Sequence, residues 1–221
     1  MTRVLQSEKR GPANGGKASS AVVFVHGYGA DGSDLLGLAD PLGPHMPNTV
    51  FYAPDAPERS AANPMGFQWF PIPWIDGSSE EQARAGLVAA AEDFNAFLDG
   101  ILETEGLAPE ALALVGFSQG TMLSLHVAPR RAAPVAAIVG FSGRLLAPEL
   151  LEAETVSRPP VLLVHGDQDD VVPVASLPEA ADALVAEGFE TYSHISKGTA
   201  HGIAHDGLSL ALSFLRDKLP S

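Results

Sequence analysis

The stretch ALALVGFSQG (Ala111–Gly120) decides the fold of this chain. Apolar residues lead up to Gly116 as in a buried strand, and Ser118 then stands in the pattern G-x-S-x-G where the strand gives way to a helix. A serine at so sharp a strand-to-helix turn is pushed into a strained conformation with its hydroxyl clear of the sheet. Small residues two before and two after it are needed because the two backbones approach closely. The letters alone are common in proteins; the position at a strand-helix junction is what makes Ser118 a candidate nucleophile. Ser142 in GFSGR (140–144) also ends an apolar run, but its second glycine follows immediately and the spacing fails.

Outward from this junction, short runs rich in Val and Ile recur: AVVFVH (21–26), TVFYAP (49–54), ALALVGFS (111–118), VAAIVGFS (135–142), VLLVHG (161–166) and TYSHIS (191–196). Longer amphipathic stretches separate most of them, which is the pattern of strands crossing over through helices into a mostly parallel sheet with helices on both faces. The clearest helix follows the second run. Ser78 or Ser79 caps it, Glu80 and Glu81 suit its dipole, and Leu87, Ala91, Phe94, Leu98 and Ile101 recur at helical steps as a core stripe. Shorter helices are expected at 119–129, 176–187 and 203–218, with Gly188 stopping the second of these.

Two segments stand apart. Residues 1–20, rich in Gly, Ser and charge, read as a partly ordered leader before the first core element, followed by a single domain over 21–221. Gly11, Gly16 and Lys17 have the spacing of a phosphate-binding loop, but Ala18 replaces the hydroxyl that would bind magnesium, and the segment precedes a strand instead of following one. Residues 55–78 carry Pro57, Pro64, Pro71, Pro73, both tryptophans and two phenylalanines without helical or strand period. This is a long ordered loop, read as the wall of a binding site, with a hydrophobic flap or homodimer contact as the alternative.

Composition narrows the chemistry. With 13 Lys+Arg against 27 Asp+Glu the formal charge is −14, and no basic run exceeds a pair, so nucleic acid and stable association with anionic membranes are disfavoured. The absence of cysteine removes disulfides, thiolate metal sites and a thiol nucleophile. No apolar run approaches the ~20 residues of a membrane helix and the N-terminus has no signal-peptide core, so a cytoplasmic protein is the simplest expectation.

A serine hydroxyl needs a base, and on a strand-helix elbow of this kind the partners follow in the order Ser, acid, His. Of the histidines after Ser118, His194 lies inside a strand and His205 inside a helix. His201, in the turn KGTAHG (197–202), is placed at the same sheet edge as the elbow and is preferred. The acid belongs on the loop after VLLVHG, where Asp167, Asp169 and Asp170 all stand, and spacing does not choose among them. An oxyanion needs backbone N–H donors. The amide of Gln119 and that of Tyr28, in the Gly-flanked turn HGYG (26–29), are the candidates.

Taken together, HGYGADG (26–32), QWF (68–70), GFSQG (116–120), HGDQDDVVP (165–173) and GTAHGI (198–203) resemble the phospholipase/carboxylesterase family of α/β-hydrolases, which includes the acyl-protein thioesterases. The resemblance covers nearly the whole chain beyond the leader. It implies an α/β-hydrolase without a large cap domain, acting on carboxylic esters or thioesters and needing no cofactor and no metal. It places the acid on Asp169, the base on His201, and the oxyanion donors on Tyr28 and Gln119. Two departures stand out: Asp170, where bacterial relatives often have proline, is expected to raise the pKa of its neighbour by like-charge repulsion, and FPIPWIDG (70–77) is less polar than in the family. Trp69, Phe70 and Trp74 are the candidates to wall an apolar substrate pocket.

The leading expectation is therefore a serine carboxylesterase acting on small soluble esters, with an acyl-protein thioesterase or lysophospholipase as alternatives on the same triad. Outside that class stand a non-catalytic binding protein on the same scaffold and a zinc hydrolase. The latter is suggested by the i, i+4 pair His201 and His205, but Gly202 occupies the place of the glutamate such a site requires.

Overall fold

The structure, a computed structural model, describes residues 2–220. In chain order the strands are β1 (Ser7–Arg10), β2 (Ser20–Val25), β3 (Thr49–Pro54), β4 (Glu58–Arg59), β5 (Phe67–Gln68), β6 (Leu112–Phe117), β7 (Ala137–Phe141), β8 (Val161–Gly166) and β9 (Thr191–Ser196). The helices are α1 (Gly32–Leu36), α2 (Ala39–Leu42), α3 (Pro73–Asp76), α4 (Glu80–Glu105), α5 (Gln119–Val127), α6 (Leu151–Glu154), α7 (Ser176–Ala186) and α8 (His205–Lys218). Seven strands form one sheet in the order β1-β3-β2-β6-β7-β8-β9, parallel except for β1.

Every residue of β2, β3, β7 and β8 is buried, which is why these strands read as unbroken apolar runs rather than as alternating ones. Within them the side chains still alternate. Val23 and Val25 join Phe94, Leu98, Leu123 and Leu184 from α4, α5 and α7 in one core layer. Val22 and Phe24 join Leu36, Leu42 and Leu215 from α1, α2 and α8 in the other. The long helix α4 opens on Ser79, whose hydroxyl accepts from Gln82 N at 3.1 Å while Gln82 Oε1 accepts from Ser79 N at 2.8 Å, a complete capping box.

Three features differ from expectation. Residues 7–10, assigned to the leader, form an edge strand antiparallel to β3, with Ser7 opposite Pro54 and Arg10 opposite Phe51. All four β1 residues are exposed, so no apolar period marks them; backbone pairing to β3 holds them, with Lys9 Nζ also 3.3 Å from Glu105 Oε1. The loop 55–78 contains the two-stranded β4-β5 ribbon and α3, the latter started by Pro73 and stopped by Gly77 at φ 73°. Finally, β9 lies at the sheet edge with much of its surface exposed, unlike the buried strands beside it.

The elbow depends on close backbone packing. A Cβ on Gly120 would lie 1.8 Å from the carbonyl oxygen of Val25, so α5 rests directly on the end of β2. Substitution of Gly120 by Ala should therefore cost about 3 kcal/mol of unfolding free energy. Gly100, inside α4, has nothing within 4 Å of an added Cβ, and Gly100→Ala should raise stability by about 0.5–1 kcal/mol. Urea denaturation of the two variants measures both, and equal stabilities would contradict the packing described.

Candidate active site

Ser118 sits between β6 and α5 at φ 53°, ψ −114°, a conformation that costs a non-glycine residue about 1–3 kcal/mol. Its own N–H donates to Phe141 O at 2.8 Å, which pins the turn to β7. Gln119 is the first residue of α5, so its N–H has no acceptor within the helix and is directed out of the helix end beside the serine.

The HGYG turn after β2 is fixed from several sides. His26 is fully buried; its Nε2 accepts from Ala56 N at 3.0 Å, so the ring hydrogen is on Nδ1, which donates to Gly27 O at 2.7 Å. Desolvation holds the His26 pKa below its ordinary value. The Trp69 indole N–H donates to His26 O at 3.0 Å, and the Gln119 side chain clamps the same neighbourhood by accepting from Trp69 N at 2.9 Å and donating to Phe70 O at 2.7 Å. Gly29 N donates to Phe67 O and Phe67 N to Ala30 O. With its neighbours so engaged, the Tyr28 N–H has no acceptor among the described residues.

These contacts correct one expectation. Trp69 is 0% and Phe70 4% exposed, and neither reaches the cavity: both are core residues that hold the HGYG turn against α5. The indole N–H of Trp69 needed a buried acceptor and found the backbone of that turn. Trp74, 58% exposed, lines the cavity. The first part of the loop 55–78 is thus a brace, and only its second part is a wall.

The cavity has a volume of about 170 Å³ and is lined by Tyr28, Trp74, Phe117, Ser118, Val172 and His201, among others. His201 Nδ1 lies 2.8 Å from Asp169 Oδ2, and the imidazole packs against Phe117 with ring centroids 4.9 Å apart. That bond leaves Nε2 as the free ring nitrogen. No hydrogen bond joins Ser118 Oγ to His201 among the described residues; such contacts often close only when substrate binds.

Asp169 is the one of the three aspartates that reaches the histidine. Its side chain has no exposed surface. Oδ1 accepts from Val171 N at 3.0 Å and Val172 N at 2.9 Å. Burial pushes its pKa up, but the His201 contact and the two backbone N–H groups outweigh this, and the carboxyl is held below its usual range. The expected upward push from Asp170 is therefore not what governs Asp169; Asp170 is exposed and points to no partner in the site. Asp167 instead accepts from Gly198 N at 2.6 Å, tying the loop after β8 to the loop after β9. His194 pairs with Asp206 at the surface, at 2.7 Å, and His205 opens α8 outside the cavity.

Fold and elbow together define an α/β-hydrolase: a mostly parallel sheet covered on both faces, with a strained serine at a strand-helix turn beside a histidine-carboxylate pair. More narrowly, the chain belongs to the phospholipase/carboxylesterase family, whose model matches residues 12–219. It is similar to the esterase YpfH of Escherichia coli (strain K12), with 26% identity over 92% of this chain and 84% of that protein. It is also similar to acyl-protein thioesterase 1 of Kluyveromyces lactis, with 29% identity over 91% of this chain and 93% of that protein. Among solved structures, that of esterase PE8 superposes with a TM-score of 0.92 at 44% identity, covering 98% of this chain and all of that one. Zea mays acyl-protein thioesterase 2 gives 0.76 at 26% identity over 97% and 99%.

The strain at Ser118 and the neutral His26 generate two expectations. Glycine tolerates the elbow conformation, so Ser118→Gly should raise unfolding free energy by about 1 kcal/mol. His26 takes its proton at lower pH in the fold than in the unfolded chain, where the ordinary value is ~6.5. The unfolded state therefore binds more protons below ~6.5, and stability should fall as pH drops through that window and be unaffected above it. Denaturation at pH 7.5, 6 and 5 should show this decline, with a shallower slope in His26→Asn.

Proposed function

We propose that the chain is a serine carboxylesterase in which Ser118 is the nucleophile, His201 the general base and acid, and Asp169 the residue that orients and charges the imidazole. The observation that carries this reading is the 2.8 Å Asp169–His201 contact at the cavity that holds the strained Ser118. His201 Nε2 takes the Ser118 proton as Oγ attacks the ester carbonyl. The amides of Tyr28 and Gln119 stabilise the oxyanion, and His201 then protonates the departing alcohol. Water, deprotonated by the same nitrogen, cleaves the acyl-enzyme and restores Ser118. The ionised Asp169 stabilises the imidazolium in both halves.

The substrate we infer is a small, soluble ester. The cavity of about 170 Å³, bordered by Ile72, Met122, Trp74 and Val172, suits a compact apolar acyl or alcohol group. Esters of short acids should be turned over with kcat/KM at least about tenfold above esters of eight carbons or more. A p-nitrophenyl ester series checks this; an acyl-cysteine peptide measured alongside addresses the thioesterase reading, which the named relatives keep in view, and a lysophospholipid addresses the lysophospholipase reading. The charge of −14 supports an activity away from anionic lipid and nucleic acid. Nothing in the proposed cycle calls for a cofactor or metal.

Asp169→Asn should cut kcat by about four orders of magnitude, because the amide holds the imidazole in the wrong tautomer and supplies no charge. Asp167→Asn and Asp170→Asn should change kcat by less than about tenfold. Steady-state kinetics on p-nitrophenyl acetate compares the three; a larger loss at Asp170 would overturn the assignment of the acid.

A further inference from the structure

Asp169 Oδ2 has a second imidazole neighbour. His165, the penultimate residue of β8, places Nε2 3.3 Å from that oxygen and 2.9 Å from the carbonyl of Val172. A carbonyl only accepts, so Nε2 carries the hydrogen and donates it to Val172 O, while Asp169 Oδ2 lies beside the same N–H at 3.3 Å as a close polar contact without hydrogen-bond geometry. The His165 side chain is 1% exposed, and burial of this ring without a partner for its N–H would be costly.

The arrangement closes a ring of contacts. Val172 N donates to Asp169 Oδ1, and Val172 O accepts from His165, which itself faces Asp169 Oδ2. Strand end, carboxylate and turn therefore hold one another, and the turn segment Val171–Val172 is also cavity wall. His201 approaches the carboxylate at the same Oδ2.

We propose that His165 is a positioning residue for the hydrolytic reaction: its Nε2–H holds Val172 O, and through that turn and its contact with Oδ2 it fixes the Asp169 carboxylate and thereby the orientation of the His201 imidazole toward Ser118. The proposal rests on Asp169 being the acid of the triad. His165 touches neither substrate nor the reacting serine. Its effect is on the precision with which the carboxylate is held, and it enters when His201 becomes positively charged.

Kinetics of His165→Leu, which removes the donor, and His165→Gln, which offers an amide N–H, test this in the full chain with p-nitrophenyl acetate. The leucine variant should lose about 10-fold in kcat, the effect on a barrier of one buried hydrogen bond, with KM changed much less. The glutamine variant should recover most of that loss. In an Asp169→Asn background, His165→Leu should cost almost nothing more, because it acts through Asp169. Wild-type kcat in His165→Leu, equal losses in Leu and Gln, or losses that multiply in the double variant would each overturn the proposal. If Asp169→Asn alone kept wild-type activity, the failure would lie instead in the assignment of the acid.

Discussion

Helix α5 can begin where it does only because Gly120 lets it rest on the carbonyl of Val25, a contact in which even a Cβ would come to 1.8 Å. That approach does three things at once. It forces the chain at Ser118 into its positive-φ turn, it sets the free N–H of Gln119 beside the serine, and it brings the end of β2, with the HGYG turn, to the same place. The proposed nucleophile and both proposed oxyanion donors are thus consequences of one backbone contact between two elements that each have a large buried core behind them.

The remaining parts reach the site as loops at the carboxyl ends of parallel strands, the edge where open α/β sheets place their chemistry. Asp169 follows β8 and His201 follows β9. Loops are the mobile part of most folds, yet here their polar groups are spoken for. Asp167 binds Gly198 N, Asp169 binds two amides and an imidazole, and the Gln119 side chain takes one donor and one acceptor from the segment Trp69–Phe70. Such bracing holds a reacting geometry without reorganisation at the moment of reaction.

Much of this was legible in the residues. The buried parallel strands announce themselves as unbroken apolar runs, and the elbow by its two glycines at a strand end. The proposed acid was not, because three aspartates within four residues have equal access by spacing; what separates them is which carboxylate faces inward between Val171 and Val172, a property of the turn and not of the letters. Trp69 and Phe70 were misread for a related reason. An aromatic in a loop without period looks like a pocket wall, whereas the pairing of Phe67 with the HGYG turn draws Gln68, Trp69 and Phe70 inside. β1 escaped because strand pairing at an exposed edge asks nothing of side chains. The two buried histidines His26 and His165 carry a signal of their own: each stands in a V-H-G at the end of a buried parallel strand, where a polar side chain must answer to backbone groups of the loop that follows.

The central claim is that hydrolysis proceeds through a covalent bond to Ser118. Incubating the protein with a fluorophosphonate and mapping the adduct by peptide mass spectrometry tests it most directly. Modification of one residue, Ser118, in step with loss of esterase activity is the predicted result. An adduct elsewhere, or undiminished hydrolysis in a chain fully modified at Ser118, would contradict it.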